Sequence, residues 1–290
     1  MTLSDAGRTD QSVPNAIALL VSDVDGTLVT DNKQLTASAV QAVRSLSEAG
    51  IAFAITSSRP PIGLRTLIAS LGITTPVGAF NGGLIVSPEQ LKPIQGNPLP
   101  ADIARRAIAF LASRRIDIWF DTDREWLVLD RNGPYVDLEI RTIESPPVLV
   151  KTFEHPGTID RCYKIVGVSR DFDALAQCER DLSGELGPNA TVNRSQLYYL
   201  DITHPEANKG YVVRALSRLL SIPTHAIAAI GDGRNDMAMF DTSALAIAMG
   251  NADHEVKARA QFVTASNEQD GFAAAVKQWV LPLAPARQRG

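Results

Sequence analysis

The sequence predicts an α/β fold: a core built on a parallel sheet, interrupted by a second, α+β domain. Three observations carry this reading. First, short apolar runs followed by helical patterns fill residues 15–87 and return from about 200 to 284. Strands alternating with helices in this way build βαβ units and a parallel sheet. Second, residues 88–199 between them hold hairpin-like strand pairs mixed with helices, the pattern of an antiparallel α+β unit. Third, three core runs end in polar clusters: Asp23-Val24-Asp25-Gly26-Thr27, Ser57-Ser58-Arg59 and Gly231-Asp232-Gly233-Arg234-Asn235-Asp236. The carboxyl ends of parallel strands are where open α/β sheets bind ligands.

The elements follow in order. Ile17–Val21 is an apolar run short enough for a buried strand. Residues 36–49 place Val40, Val43 and Leu46 on one helical face, with Gly50 as a stop. Residues 51–55 form a second buried strand. Pro60 and Pro61 open a helix that runs to about Leu71 and ends at Gly72. A strand near 76–80 precedes the turn signal Asn81-Gly82-Gly83. Five prolines and glycines between 88 and 100 read as a linker. In the insert, helices are expected at 101–114 and 171–186, and strands at 116–121, 125–129, 161–168, 190–194 and 197–202. The first style then returns: a helix at 207–220, strands at 226–230, 244–248 and 261–263, and a last helix at 270–280.

The 290 residues, 45% of them hydrophobic, suffice for a packed core. A net charge of −4 without clustered Lys and Arg argues against a nucleic-acid surface. No apolar run approaches the ~20 residues that span a bilayer. Residues 1–15 lack the basic start and apolar stretch of a secretory signal. The expectation is therefore a cytoplasmic protein without a membrane partner, with frayed ends at 1–15 and 282–290. Cys162 and Cys178 are too few for a disulfide framework and read as buried small residues. The four histidines show no pair at ligand spacing.

Spacing removes the simpler explanations of the polar clusters. A calcium loop begun at Asp23 would need Gly at its sixth position and Glu at its twelfth, where Leu28 and Gln34 stand. Begun at Asp232, it meets Met237 at the sixth. A dinucleotide fingerprint fails at Asp236, and no nucleotide-binding P-loop motif exists. What remains is oxygen-ligand chemistry. Carboxylates suit Mg²⁺, which shares its ligands with phosphate. Lys209 and a Ser hydroxyl suit phosphate oxygens, and an Asp can serve as a covalent nucleophile.

The chain resembles the haloacid-dehalogenase-like (HAD) superfamily, specifically its Cof-like members with a type IIB cap. The residues that carry the resemblance are Asp23-Val24-Asp25-Gly26-Thr27-Leu28, Ile55-Thr56-Ser57-Ser58-Arg59-Pro60, Asn81-Gly82-Gly83, Asn208-Lys209-Gly210, Gly231 to Met237, Ala246 to Ala252 and Val263 to Asn267. It implies a Rossmann-like core at 15–87 and 200–284, and an α+β cap at 88–199 that selects substrate. It implies a Mg²⁺-dependent phosphatase acting on small phosphorylated metabolites, sugar phosphates or related compounds, through an aspartyl-phosphate. Carried over, Asp23 is nucleophile and metal ligand. Asp25 is the general acid/base, and its backbone carbonyl binds the metal. Ser57, Lys209 and Asn235 hold phosphate, Asp232 binds the metal, and Asp236 supports it from behind or through water.

One departure is Ser58, where the family often has glycine. Arg59 is left between a substrate contact and a structural ion pair. The pKa of Asp25 is expected to rise beside Asp23, with Mg²⁺ on Asp23 partly offsetting the rise. In the cap, Trp119, Trp126, Tyr135, Tyr198 and Tyr199 are either pocket walls or core, and Arg114 and Arg115 are either anion contacts or exposed helix charges. Two alternatives stand beside the phosphatase: a phosphomutase of the same superfamily, and a non-catalytic phosphometabolite-binding protein. Which ester is bound, and the oligomeric state, stay open.

Overall fold

The structure, a computed structural model, describes residues 14–155 and 157–286. Most of the expected frayed ends, 1–13 and 287–290, lie outside the described residues.

The core is a five-stranded parallel sheet. Its order is Phe262–Val263, Leu245–Ala248, Ile227–Gly231, Leu19–Ser22, Ala52–Ile55. Strands of such a sheet are covered on both faces, so they read as unbroken apolar runs. Alternate residues of one strand accordingly enter different clusters: Leu20 packs with Ala228, Ile230 and Ile247, while Leu19 and Val21 pack with Ile227 and Ala229. The register sets Ser22 opposite Ile230 on one side and Ile55 on the other. Each of these strands then runs into one of the polar clusters, so the site is assembled by the pairing itself.

The helices begin where the sequence offers caps. The Thr36 hydroxyl accepts the Ala39 N–H at 3.1 Å and opens Ala37–Glu48. Asn208 accepts the Tyr211 N–H at 2.9 Å and opens Lys209–Leu220. Such caps satisfy amide donors the helix cannot. Pro61–Leu64 forms a 3₁₀ turn that passes into the helix Arg65–Leu71, closed by the left-handed Gly72.

Residues of the insert form a six-stranded sheet, ordered Thr191–Gln196, Tyr199–Thr203, Lys164–Val168, Asp117–Asp121, Trp126–Val128, Val148–Leu149, antiparallel except for the last pair. Helices Ala101–Ser113 and Phe172–Leu186 cover one face through Leu111, Leu175 and Leu182. On the other face Trp119, Trp126 and Val166 pack with Val136 and Ile143, and with Ile62 from the core. Trp119 and Trp126 are therefore core residues, edge to face at 5.0 Å. Both cysteines are free and buried, as expected. Among the described residues no helix is long and apolar enough to cross a membrane.

Four readings need correction. Val77–Ala79 belongs to a small antiparallel sheet with Leu84–Val86 and Pro93–Gly96, and reaches the main sheet through one parallel bridge, Thr56 to Gly78. The linker reading of 88–100 hid the strand Pro93–Gly96: its proline stands first, where the missing N–H costs no ladder bond. The eight-residue helix Val136–Ile143 was not read, because Gly133-Pro134 and a left-handed Tyr135 precede it. The last helix is α only over Gly271–Ala275 and continues as a π turn at Val276–Val280.

Candidate active site

Asp23 follows the strand Leu19–Ser22 and is buried, its N–H donating to the Ile230 carbonyl at 3.0 Å. Lys209, first residue of its helix, is buried beside it. The Lys209 ammonium donates to Asp23 Oδ1 at 2.5 Å and to Asp236 Oδ1 at 2.5 Å. Asp23 and Lys209, 186 positions apart in the chain, thus meet at one sheet edge. Burial raises the Asp23 pKa; Lys209 pulls it down, but Asp236 and Asp232 push it up again, and the net position is well above the usual carboxylate range. Burial works against the Lys209 charge, yet Asp23 and Asp236 more than offset it, so the lysine is held protonated.

Asp232 follows the neighbouring strand. It accepts the Thr27 hydroxyl at 3.1 Å and the Asn251 amide at 3.1 Å. Asn251 also donates to the Gly26 carbonyl at 2.9 Å, tying this loop to the first. Gly26 is left-handed (φ 82°), and a Cβ there would strike the Asp232 carboxylate. Only glycine lets the two loops approach. Burial first, then Asp236, raises the Asp232 pKa to about 6 despite Lys209. Asp236 is fully buried; its second oxygen accepts the N–H groups of Asp232 at 2.9 Å and Gly233 at 2.8 Å. Its lone pairs are thus spent on the loop and on Lys209.

Carboxylate oxygens of Asp23, Asp232 and Asp236 lie within 4.8 Å of one another. Three carboxylates and one ammonium leave two formal negative charges, those of one divalent cation. An all-oxygen donor set suits Mg²⁺. The residues present therefore fit that ion, with Asp23 and Asp232 the freer pair.

Asp25 departs from expectation. Arg59 grips it with two parallel bonds, Nε to Oδ2 at 2.8 Å and Nη2 to Oδ1 at 2.6 Å. Lys33 adds a third contact at 2.8 Å. Lys33 reaches it from a tight turn in which its N–H donates to the Thr30 carbonyl and its own φ is 63°. Burial pushes Asp25 up, but the bonds and charge of Arg59, then Lys33, outweigh it and hold the pKa at about 2. The expected rise beside Asp23 is reversed, since two cations are in direct contact with the Asp25 carboxylate. Arg59 makes an ion pair with Asp25, and Lys33 is a site residue that sequence reasoning missed. No local pattern marks it; only the turn delivers it.

Ser57 is buried at the end of the strand Ala52–Ile55. Its N–H donates to the Gly78 carbonyl, and its hydroxyl accepts the Arg59 N–H at 3.2 Å. Ser58 stays out of the left-handed region, so a side chain there strains nothing. Asn235 lies at the rim and donates to Asn81 Oδ1 at 2.9 Å. A cavity of about 480 Å³ opens between this edge and the six-stranded sheet. Asp23, Asp25, Asp232 and Asn235 line one side, and Glu139, Lys164, Tyr198 and Tyr199 the other. Arg114 pairs with Asp181 on the outer surface, and neither it nor Arg115 lines this cavity.

The family model for haloacid dehalogenase-like hydrolases matches residues 20–276. The chain belongs to this family. Among its relatives is the 5-amino-6-(5-phospho-D-ribitylamino)uracil phosphatase of Bacillus subtilis, 28% identical over 280 residues, covering 88% of this chain and 96% of that one. A haloacid dehalogenase-like hydrolase from Bacteroides thetaiotaomicron superposes with a TM-score of 0.83 at 25% identity, covering 90% of this chain and 99% of that one. A HAD subclass IIB sugar phosphatase shares the fold with a TM-score of 0.78 at 22% identity, covering 91% and 99%. The resemblance drawn from the motifs and the Rossmann-like core are thereby borne out. As a phosphatase of this family, the chain is a phosphoric monoester hydrolase.

Proposed function

We propose that this chain hydrolyses small phosphate monoesters with Mg²⁺ bound by Asp23, Asp232 and the Asp25 backbone carbonyl. The observation that carries the reading is the meeting of Asp23, Asp232 and buried Lys209 at the carboxyl edge of one parallel sheet. When bound, the metal would neutralise charge on the phosphoryl group. Phosphoryl transfer depends chiefly on such neutralisation and on positioning.

The protein's own part follows from its residues. Asp23 attacks phosphorus as the bond to the ester oxygen breaks, giving an aspartyl-phosphate. Asp25 supplies the proton to the departing oxygen, then takes one from the water that frees phosphate. To carry that proton, Asp25 must be loosened from Arg59 and Lys33. Lys209 and Ser57 hold the phosphoryl oxygens, Asn235 stands at the rim, and Asp236 fixes the loop that presents Asp232. Residues 88–199 act as the cap that chooses the substrate. The B. subtilis relative and the sugar phosphatase of like fold support small organic phosphates as the substrate class. Two free, buried cysteines favour the cytoplasm.

The test is free phosphate released from a panel of monoesters, with Mg²⁺ and with chelator. Metal-dependent release that is lost in Asp23→Asn supports the reading. Isomerised product without free phosphate would instead mark a mutase, and full activity in Asp23→Asn without deamidation would overturn the mechanism.

A further inference from the structure

The cap side of the cavity has a charge pattern of its own. Its two cations there are already engaged. Arg194 is paired with Glu179 at 2.9 Å, and its backbone N–H donates to the same carboxylate. Lys164 is 3.7 Å from Asp201 and donates to the Ser58 carbonyl at 3.3 Å, across the boundary to the core. Asp121 and Asp201 are both buried, and both sit close enough to bear on the Lys164 charge, as does Glu139. Both oxygens of Asp201 lack a hydrogen-bond partner. Three acids thus surround one lysine. A fixed anion brought to this wall would have to be buried without a cation to meet it, which is costly.

Glu139 is the half-buried member of this group and lines the cavity wall. Among the described residues it forms no ion pair within 4.0 Å, and its Oε2 accepts one hydrogen bond, from the Tyr199 hydroxyl at 3.3 Å. Oε1 accepts none among the described residues, and the carboxylate faces the cavity opposite the Asp25 and Arg59 edge. It sits on the helix Val136–Ile143, which docks through Ile143 on Gly63, four residues beyond Arg59. The acceptor is therefore placed by the contact that closes the cap on the core.

Resting on the phosphatase reading above, we propose that the cap wall selects phosphate esters whose organic part carries hydroxyl or amino hydrogen-bond donors and no second anionic group. Glu139 is the specificity-determining residue: it accepts from those donors and repels a carboxylate or a second phosphate.

Three probes built on a six-carbon chain phosphorylated at C6 test this: the ring forms glucose 6-phosphate and glucosamine 6-phosphate, and the open-chain carboxylate 6-phosphogluconate. Wild-type kcat/KM is expected to favour the first two over the carboxylate by at least about tenfold, the scale of one charged hydrogen bond gained or lost. Glu139→Gln keeps the shape and should shrink that gap, and the advantage of glucosamine over glucose, by about fivefold or more. Equilibrium binding of the same probes to Asp23→Asn should give the same order without turnover. Hydrolysis of p-nitrophenyl phosphate, run alongside, reports on the chemistry alone. Binding in the expected order, with no phosphate released from any ester by the wild type, would sink the phosphatase reading and keep the selectivity. Equal or better use of 6-phosphogluconate, no binding of any probe, or an order untouched by Glu139→Gln would overturn the proposal.

Discussion

Two lysines, Lys209 buried in the core and Lys164 partly buried on the cap wall, show how differently the core and the insert are built. Lys209 lies 2.5 Å from both Asp23 and Asp236. Lys164 lies 3.7 Å from Asp201, whose oxygens make no hydrogen bond. The first cluster is assembled by adjacent parallel strands and a capped helix, so its geometry is fixed before anything binds. The second is spread over three strands and a short helix, with a longer ion pair and a carboxylate that makes no hydrogen bond. The core site, whose excess negative charge matches one divalent cation, is suited to a constant chemistry. The cap wall is left with unspent acceptors, suited to a ligand that supplies donors.

The contrast is broken most severely at Lys209. Lys209→Met leaves two buried carboxylates facing each other, and should cost about 3 kcal/mol of stability and at least about 100-fold in kcat. Urea unfolding and phosphate release measure the two losses.

Arg59→Met comes next. It removes both bonds to Asp25, and about 1–2 kcal/mol should be lost at neutral pH. The folded-state pKa of Asp25 is depressed from 3.8 to about 2, so its contribution is present above pH ~4 and is lost as pH falls towards 2. Acid unfolding of the variant should show a shallower slope in that window.

Asp121 in the cap carries the opposite sign. Burial first, with Glu139 and Asp201 against Lys164, raises it from 3.8 to about 7. Its favourable contribution is full below pH ~4 and is lost as pH rises through 7. Asp121→Asn should flatten stability between those values and gain roughly 1–2 kcal/mol at pH 8, read from urea midpoints across pH. The smallest effect is expected at Ser58→Gly. Ser58 lies outside the left-handed region, so glycine relieves nothing and should lower stability by under about 1 kcal/mol, with kcat changed by less than about twofold.

Much of the core was legible because buried parallel strands are apolar throughout and end in polar loops. Leu19–Ser22 and Ile227–Gly231 could be read from their own residues. Which loops meet could not, because Asp23 and Lys209 are joined by register and helix docking and by nothing local. The family resemblance supplied that link. The Asp25–Arg59 and Asp25–Lys33 pairs were hidden for the same reason: each depends on how a loop closes. In the cap, Val136–Ile143 escaped notice behind a proline and a left-handed tyrosine, and Glu139 with it.

The central claim is that Asp23 carries the phosphoryl group. Borohydride reduction during turnover converts an aspartyl-phosphate to homoserine, and tandem mass spectrometry locates it. Homoserine at Asp23, absent with chelator and in Asp23→Asn, is the result expected. Homoserine at Asp25, or none while phosphate is being released, would contradict the account.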